Sequence, residues 1–200
     1  MQLRQHPKGG FAVWMTNKEM EQVYDYHSED MEYQLACEYM GKCGLRGRDL
    51  ENVKRQNIIQ LDTEEEAYIL RVEESKRGYR ETPLPVDLKN RTVALIQAMG
   101  LKQNESVFDK AVRSYQRAVE RAVETLAEET GTADWEKVSA HELRRSWANR
   151  CYYKLGGTER DLRAVMSWGG WEKQDTFANH YLGVIPEDLL VEMMEEADLR

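Results

Sequence analysis

The sequence predicts a mainly α domain carrying one small three-stranded antiparallel sheet, an α+β arrangement. Three observations predict it. Apolar residues recur at helical spacing through most of the 200 residues, introduced twice by Ser/Thr-x-x-Glu capping signals. Between Asn57 and Pro85 that period gives way to short alternating runs bounded by turn residues. No internal repeat or low-complexity linker divides the chain, so it reads as one domain, with a core over about 16–183 and a C-terminal helix over 186–199.

In chain order, Thr16-Asn17-Lys18-Glu19 is a capping box that opens a helix over about 17–27. A second helix, about 29–42, puts Met31, Leu35 and Tyr39 on one face and stops near Gly44. Asn57–Leu61, Ala67–Val72 and Arg80–Pro85 alternate as strands, with Ser75-Lys76-Arg77-Gly78-Tyr79 as the tip between the last two. Helical period returns over about 88–100 and again over 108–129, where Val112, Tyr115, Val119, Ala122, Val123 and Leu126 form one stripe. Ser139-x-x-Glu142 caps a helix over 140–155 that ends at Gly156-Gly157. Shorter helices follow over 159–168 and 174–182, and Pro186 begins the last. There Leu189, Leu190, Met193 and Met194 form an apolar stripe suited to the domain's own core or to a neighbouring subunit.

Composition narrows the function. At 41% hydrophobic the chain can bury an ordinary core, which excludes wholesale disorder. No apolar run approaches the ~20 residues of a membrane span, and the N-terminus lacks a signal-peptide segment, so the reading is soluble, cytoplasmic and without a membrane partner. Cys37, Cys43 and Cys151 are odd in number and widely spaced, as reduced thiols rather than a disulfide framework or zinc site. A net charge of −8 sits awkwardly with nucleic-acid binding. Segregation resolves it: Lys and Arg gather in 42–55, 71–80 and 137–163, acid in 62–66, 124–136 and 187–198. A high-salt cytoplasm is a second resolution, consistent with 17 Arg against 11 Lys.

The chemistry-bearing residues converge on phosphate. His141 and Arg144, three apart in the first turns of a capped helix, share a face near free backbone N–H groups that favour an anion. Arg144 can fork onto two phosphate oxygens while His141 moves a proton. Arg46 follows Gly44-Leu45, where glycine permits a sharp turn and Asp49 can brace the guanidinium; Arg48 is the competing choice. Lys76, at the hairpin tip beside Arg77 and Arg80, suits proton donation to a leaving oxygen. Tyr181 follows His180; a phenol of pKa ~10 attacks poorly unless cations stabilise its anion. Two arginines, a lysine, a histidine and a tyrosine make a set for phosphoryl transfer to tyrosine that needs no metal and no cofactor.

The segments C-G-L-R-G-R-D-L, the Lys76 hairpin ending in T-P-L-P, H-E-L-R-R-S-W-A and the terminal G-W…H-Y-L-G, in this order from about Thr16 to Gly183, resemble the catalytic domain of tyrosine recombinases, the phage-type integrases. The resemblance implies that Arg46, Lys76, His141, Arg144 and Tyr181 are catalytic. It puts a tryptophan in the slot where many members carry His: Trp171 stands ten residues before Tyr181, whereas Trp168 would require an insertion. It further implies that Tyr181 attacks a phosphodiester of double-stranded DNA, forming a 3′-phosphotyrosyl bond that a 5′-hydroxyl later reverses, within a homo-tetramer on the DNA. Relatives usually carry a separate N-terminal helical domain that closes around DNA; the expectation here is that this domain is absent. The Lys76 hairpin is about one residue shorter than the usual pattern. The W-G-G-W box and acidic surface resemble archaeal members, from a virus or plasmid of a halophile. A catalytically silent DNA-binding regulator and a type IB topoisomerase-like enzyme are the alternatives.

Overall fold

The computed structural model describes residues 1–5, 9–75 and 78–199. Two antiparallel strands, β1 (Gln2–Gln5) and β2 (Phe11–Trp14), precede the first helix. Helices α1 (Asn17–Asp25) and α2 (Met31–Lys42) follow. The sheet has strand order β3-β4-β5, antiparallel throughout, from Ile58–Gln60, Tyr68–Ser75 and Gly78–Leu84. Then come α3 (Val86–Met99), α4 (Val112–Thr130), α5 (Ala140–Lys154), α6 (Glu159–Gly169), α7 (Gln174–Tyr181) and α8 (Glu187–Glu196). Among the described residues no helix is long and apolar enough to cross a membrane. Lys76 and Arg77 lie outside the described residues.

Local chemistry explains the boundaries. Thr16 and Glu19 exchange the two bonds of a capping box, and Ser139 and Glu142 do the same for α5. A third box, Thr158 with Asp161, opens α6. β4 and β5 pair with Leu70 opposite Thr82 and Val72 opposite Arg80, the register shifting between Val72 and Ser75, and Leu70, Val72 and Leu84 are buried.

Among the described residues three apolar clusters form the interior. Leu35, Tyr39, Leu70, Leu88 and Tyr115 join α2, the sheet, α3 and α4. Val13, Val23, Val119, Val123 and Leu143 join β2, α1, α4 and α5. Trp147, Val165, Trp171, Phe177 and Tyr181 join α5, α6 and α7. Helix α5 runs between the last two, and every residue from Glu142 to Arg150 is buried although five of them are charged or polar besides the capping Glu142 itself. A buried polar side chain is costly without a partner, and those of α5 find theirs on other segments.

Four positions expected on apolar stripes are exposed: Met31, Val112, Leu190 and Met193. Met31, the first residue of α2, and Val112, the first of α4, both lie before their helices reach the core. The β1–β2 hairpin was not expected at all: four-residue strands give too short a pattern to register. In α8 only Leu189 is buried; Leu190, Val191 and Met193 stay exposed, and Asp188 ties the helix to Arg150 at 2.8 Å.

Candidate active site

The turn after α2 sets the first arginine. Gly44 has φ +63°, a left-handed conformation that favours glycine, and a Cβ there would meet the Trp147 ring at 2.1 Å. The chain then turns so that Arg46 caps the short 3₁₀ segment Gly47–Asn52. Its backbone N–H donates to Asp49 Oδ2 at 3.1 Å, and its Nη1 lies 3.5 Å from the same oxygen. The brace expected from Asp49 is present. Arg48 is exposed and lines the same cleft without these contacts.

Asp49 also holds a residue the sequence reading passed over. Arg80, on β5, is buried; it donates from Nη2 to Asp49 Oδ2 at 2.7 Å and from Nη1 to the Trp168 carbonyl at 2.5 Å. The only signal for it was an arginine in the alternating run of β5, on the face that carries the buried Thr82 and Leu84.

Arg144 is buried in α5 and donates to the Gly44 and Gly169 carbonyls, the latter at 2.6 Å. Its guanidinium lies over the Trp171 ring, 4.0 Å from the centroid. Burial and then repulsion from Arg46 lower its pKa, yet an arginine starts high enough to stay cationic. Arg46 and Arg80 thus share one carboxylate while Arg144, among the described residues, has only carbonyl partners, and the excess positive charge faces a cleft of about 480 Å³ lined by Arg46, Arg48, Val112, Gln116, His141 and Arg144 among others.

His141 sits at the mouth of that cleft. The protein packed around its ring, then Arg145, Arg144 and Arg46, push its pKa down to about 4, although the residue keeps an exposed face. It is therefore neutral at neutral pH, and able to accept a proton. The backbone donors of this helix end are partly spent: Ser139 Oγ accepts from the His141 N–H at 3.3 Å, and Glu142 accepts from the Ser139 N–H at 3.2 Å. Attraction for an anion rests mainly on the side chains.

Tyr181, the last residue of α7, is buried against this group. Its ring stands edge-on to His141 at 5.4 Å and to Trp171 at 4.4 Å, and stacks on Phe177 at 5.8 Å. Trp171 thus links Arg144 to Tyr181. Trp168 contributes its carbonyl to Arg80 and packs at the edge of the same cluster. Of the residues singled out, Arg46, His141, Arg144, Trp171 and Tyr181 come together from the α2 turn, α5, the α6–α7 turn and α7. Lys76 lies outside the described residues. The acidic run 124–136 gathers Glu124, Glu128 and Glu136 around a different cleft.

Residues 13–187 match the profile described as the phage integrase family. No curated protein matches the chain. Among solved structures, XerA recombinase superposes with TM-score 0.68 at 16% identity, over 94% of this chain and 66% of that one. XerH site-specific recombinase, in a pre-cleavage complex with its difH substrate, gives 0.66 at 18% identity over 98% and 55%. The Tn1549 transposon integrase with circular intermediate DNA gives 0.62 at 17% identity over 92% and 64%. The chain therefore spans less than two thirds of each. At these identities the likeness establishes the shared fold.

Proposed function

Because the chain belongs to the phage integrase family, we propose that it cuts and rejoins double-stranded DNA at specific sites through a 3′-phosphotyrosyl intermediate. The observation that carries this reading is the excess of guanidinium over carboxylate at the Arg46–His141–Arg144 cleft, with Tyr181 packed on His141.

Arg46 and Arg144 hold the non-bridging oxygens of the scissile phosphate, where negative charge grows as the phosphorus is attacked. The Tyr181 hydroxyl forms the new P–O bond and its proton passes to neutral His141. The P–O5′ bond breaks, and the leaving oxygen takes a proton from Lys76. A 5′-hydroxyl from another strand reverses the sequence, so the energy of the phosphodiester is conserved. Trp171 holds Arg144 by its ring face and Tyr181 by its edge. Asp49, itself held by Arg80, keeps Arg46 in place.

The partner is duplex DNA, and exchange between two duplexes calls for four copies of the chain on the DNA. The exposed Leu190, Val191 and Met193 of α8 support contact between copies. The acidic net charge of −8 supports a high-salt host, such as a haloarchaeal virus or plasmid.

The test is capture from a randomised duplex library carrying a 5′-bridging phosphorothiolate, whose thiol leaving group cannot religate. A covalent protein–DNA adduct is expected, and sequencing its DNA defines the preferred site. Binding of the library without any adduct would favour a silent DNA-binding regulator; relaxation of supercoiled plasmid without exchange would favour a topoisomerase.

A further inference from the structure

The segment that leaves α7 is held by side chains from β2 and α5. Tyr181 ends its helix, so its carbonyl has no partner within the helix. Trp14 supplies one: the indole N–H donates to the Tyr181 carbonyl at 2.8 Å. Next to it, Arg145 Nε donates to the His180 carbonyl at 2.9 Å. Asn149 accepts from the Gly183 N–H at 2.8 Å and donates to the Val184 carbonyl at 3.0 Å. Gly183 lies so close to Trp14 that a Cβ would meet the indole at 2.5 Å. Trp14 is only 3% exposed and is itself fixed by β2 packing on α5, where the Met15 N–H donates to Ser146 Oγ at 2.9 Å.

We propose that Trp14 and Asn149 are positioning residues for Tyr181, gripping the backbone at and just beyond it so that its phenol faces the Arg46–His141–Arg144 cleft. The proposal rests on the reading of Tyr181 as nucleophile. Its leverage is geometric. A phenol oxygen lies about 6 Å from its Cα, so a backbone tilt of about 10° displaces it by roughly 1 Å, and a misplacement of that size costs about 10²-fold in rate. Helix α8 begins only after this grip, so movement of α8 need not disturb the tyrosine.

Trp14→Phe removes the N–H while keeping an aromatic ring on Gly183. Arg4→Ala is the control, since Arg4 lies over the same indole at 4.9 Å without taking part in the bond. Two readouts on the full chain separate the possibilities: backbone hydrogen exchange over 180–185, and the single-turnover rate of adduct formation on the phosphorothiolate duplex selected above. Trp14→Phe is expected to raise exchange over 182–185 by about 10-fold and to slow adduct formation by about 10²-fold, with DNA affinity within about twofold of wild type. Arg4→Ala is expected to change neither. Unchanged exchange in Trp14→Phe would overturn the grip. Raised exchange with an unchanged adduct rate would overturn its bearing on the chemistry. Absence of adduct from wild type would retire the nucleophile reading instead, and the exchange measurement would still decide whether the grip exists.

Discussion

Asp49 is the carboxylate on which the charge of the cleft balances. Its side chain is fully buried, 2.7 Å from Arg80 Nη2 and 3.5 Å from Arg46 Nη1. Asp49→Asn keeps the shape and one acceptor but leaves Arg46, Arg80 and Arg144 facing one another without it. An ion pair at such separations is worth about 4 kcal/mol at an effective dielectric near 20. Removing one partner of a buried pair costs about 3–5 kcal/mol. Since the amide still accepts a hydrogen bond, a loss of about 3 kcal/mol is expected, a fall in Tm of roughly 6–12 °C for a chain of this length. The deficit is one of negative charge, so an anion in the cleft restores part of it. Circular-dichroism melts in chloride and in phosphate at equal ionic strength are expected to show a smaller gap between variant and wild type in phosphate. A fall below about 2 °C, or a gap equal in both salts, would refute the claim that the guanidiniums depend on this carboxylate.

Arg46→Ala and Arg144→Ala are each expected to lower the cleavage rate by about 10²–10³-fold, with Arg48→Ala near wild type; damage from Arg48→Ala with a harmless Arg46→Ala would reverse the assignment in G-L-R-G-R. His141 has its pKa lowered from 6.5 to about 4 in the folded protein, so the stability that comes from its neutral form is complete above 6.5 and lost as pH falls toward 4. His141→Gln is expected to flatten the stability profile across that window, and a steeper profile would contradict the depressed pKa. Trp171→Ala is expected to lose most cleavage with the fold retained, while Trp171→His keeps a substantial part because its ring N–H can replace the indole donor. Near-full activity in Trp171→Ala beside a folded but inactive Trp168→Ala would exchange their roles.

Local signals were legible where they repeat. Capping boxes at Thr16 and Ser139, the stripe from Tyr115 to Leu126 and the alternation of Ile58–Leu84 each span several residues, and each element formed, α4 beginning at Val112 rather than at 108. The site was legible in part: Arg46 with its Asp49 brace, and His141 with Arg144, sit at short spacings that a helix or turn brings together. What was illegible depends on contacts between distant segments. Arg80 reaches Asp49 across 31 positions, and Trp14 reaches Tyr181 across 167. The buried charge of α5 was hidden for the same reason. The polar side chains of H-E-L-R-R-S-W-A-N-R tolerate burial because distant groups pair them: the carbonyls of Gly44, Gly169, His180 and Val184, the Met15 N–H on Ser146 and Asp188 on Arg150.

The central claim is that Tyr181 becomes covalently joined to DNA. The direct measurement is mass spectrometry of the adduct trapped on the phosphorothiolate duplex in excess EDTA, after protease and nuclease digestion, for wild type and Tyr181→Phe. A single nucleotide-bearing peptide containing Tyr181, linked through a 3′-phosphate, is expected from wild type, and none from Tyr181→Phe although that variant still binds the duplex. An adduct of normal yield in Tyr181→Phe, or one mapped to any other tyrosine, would contradict it.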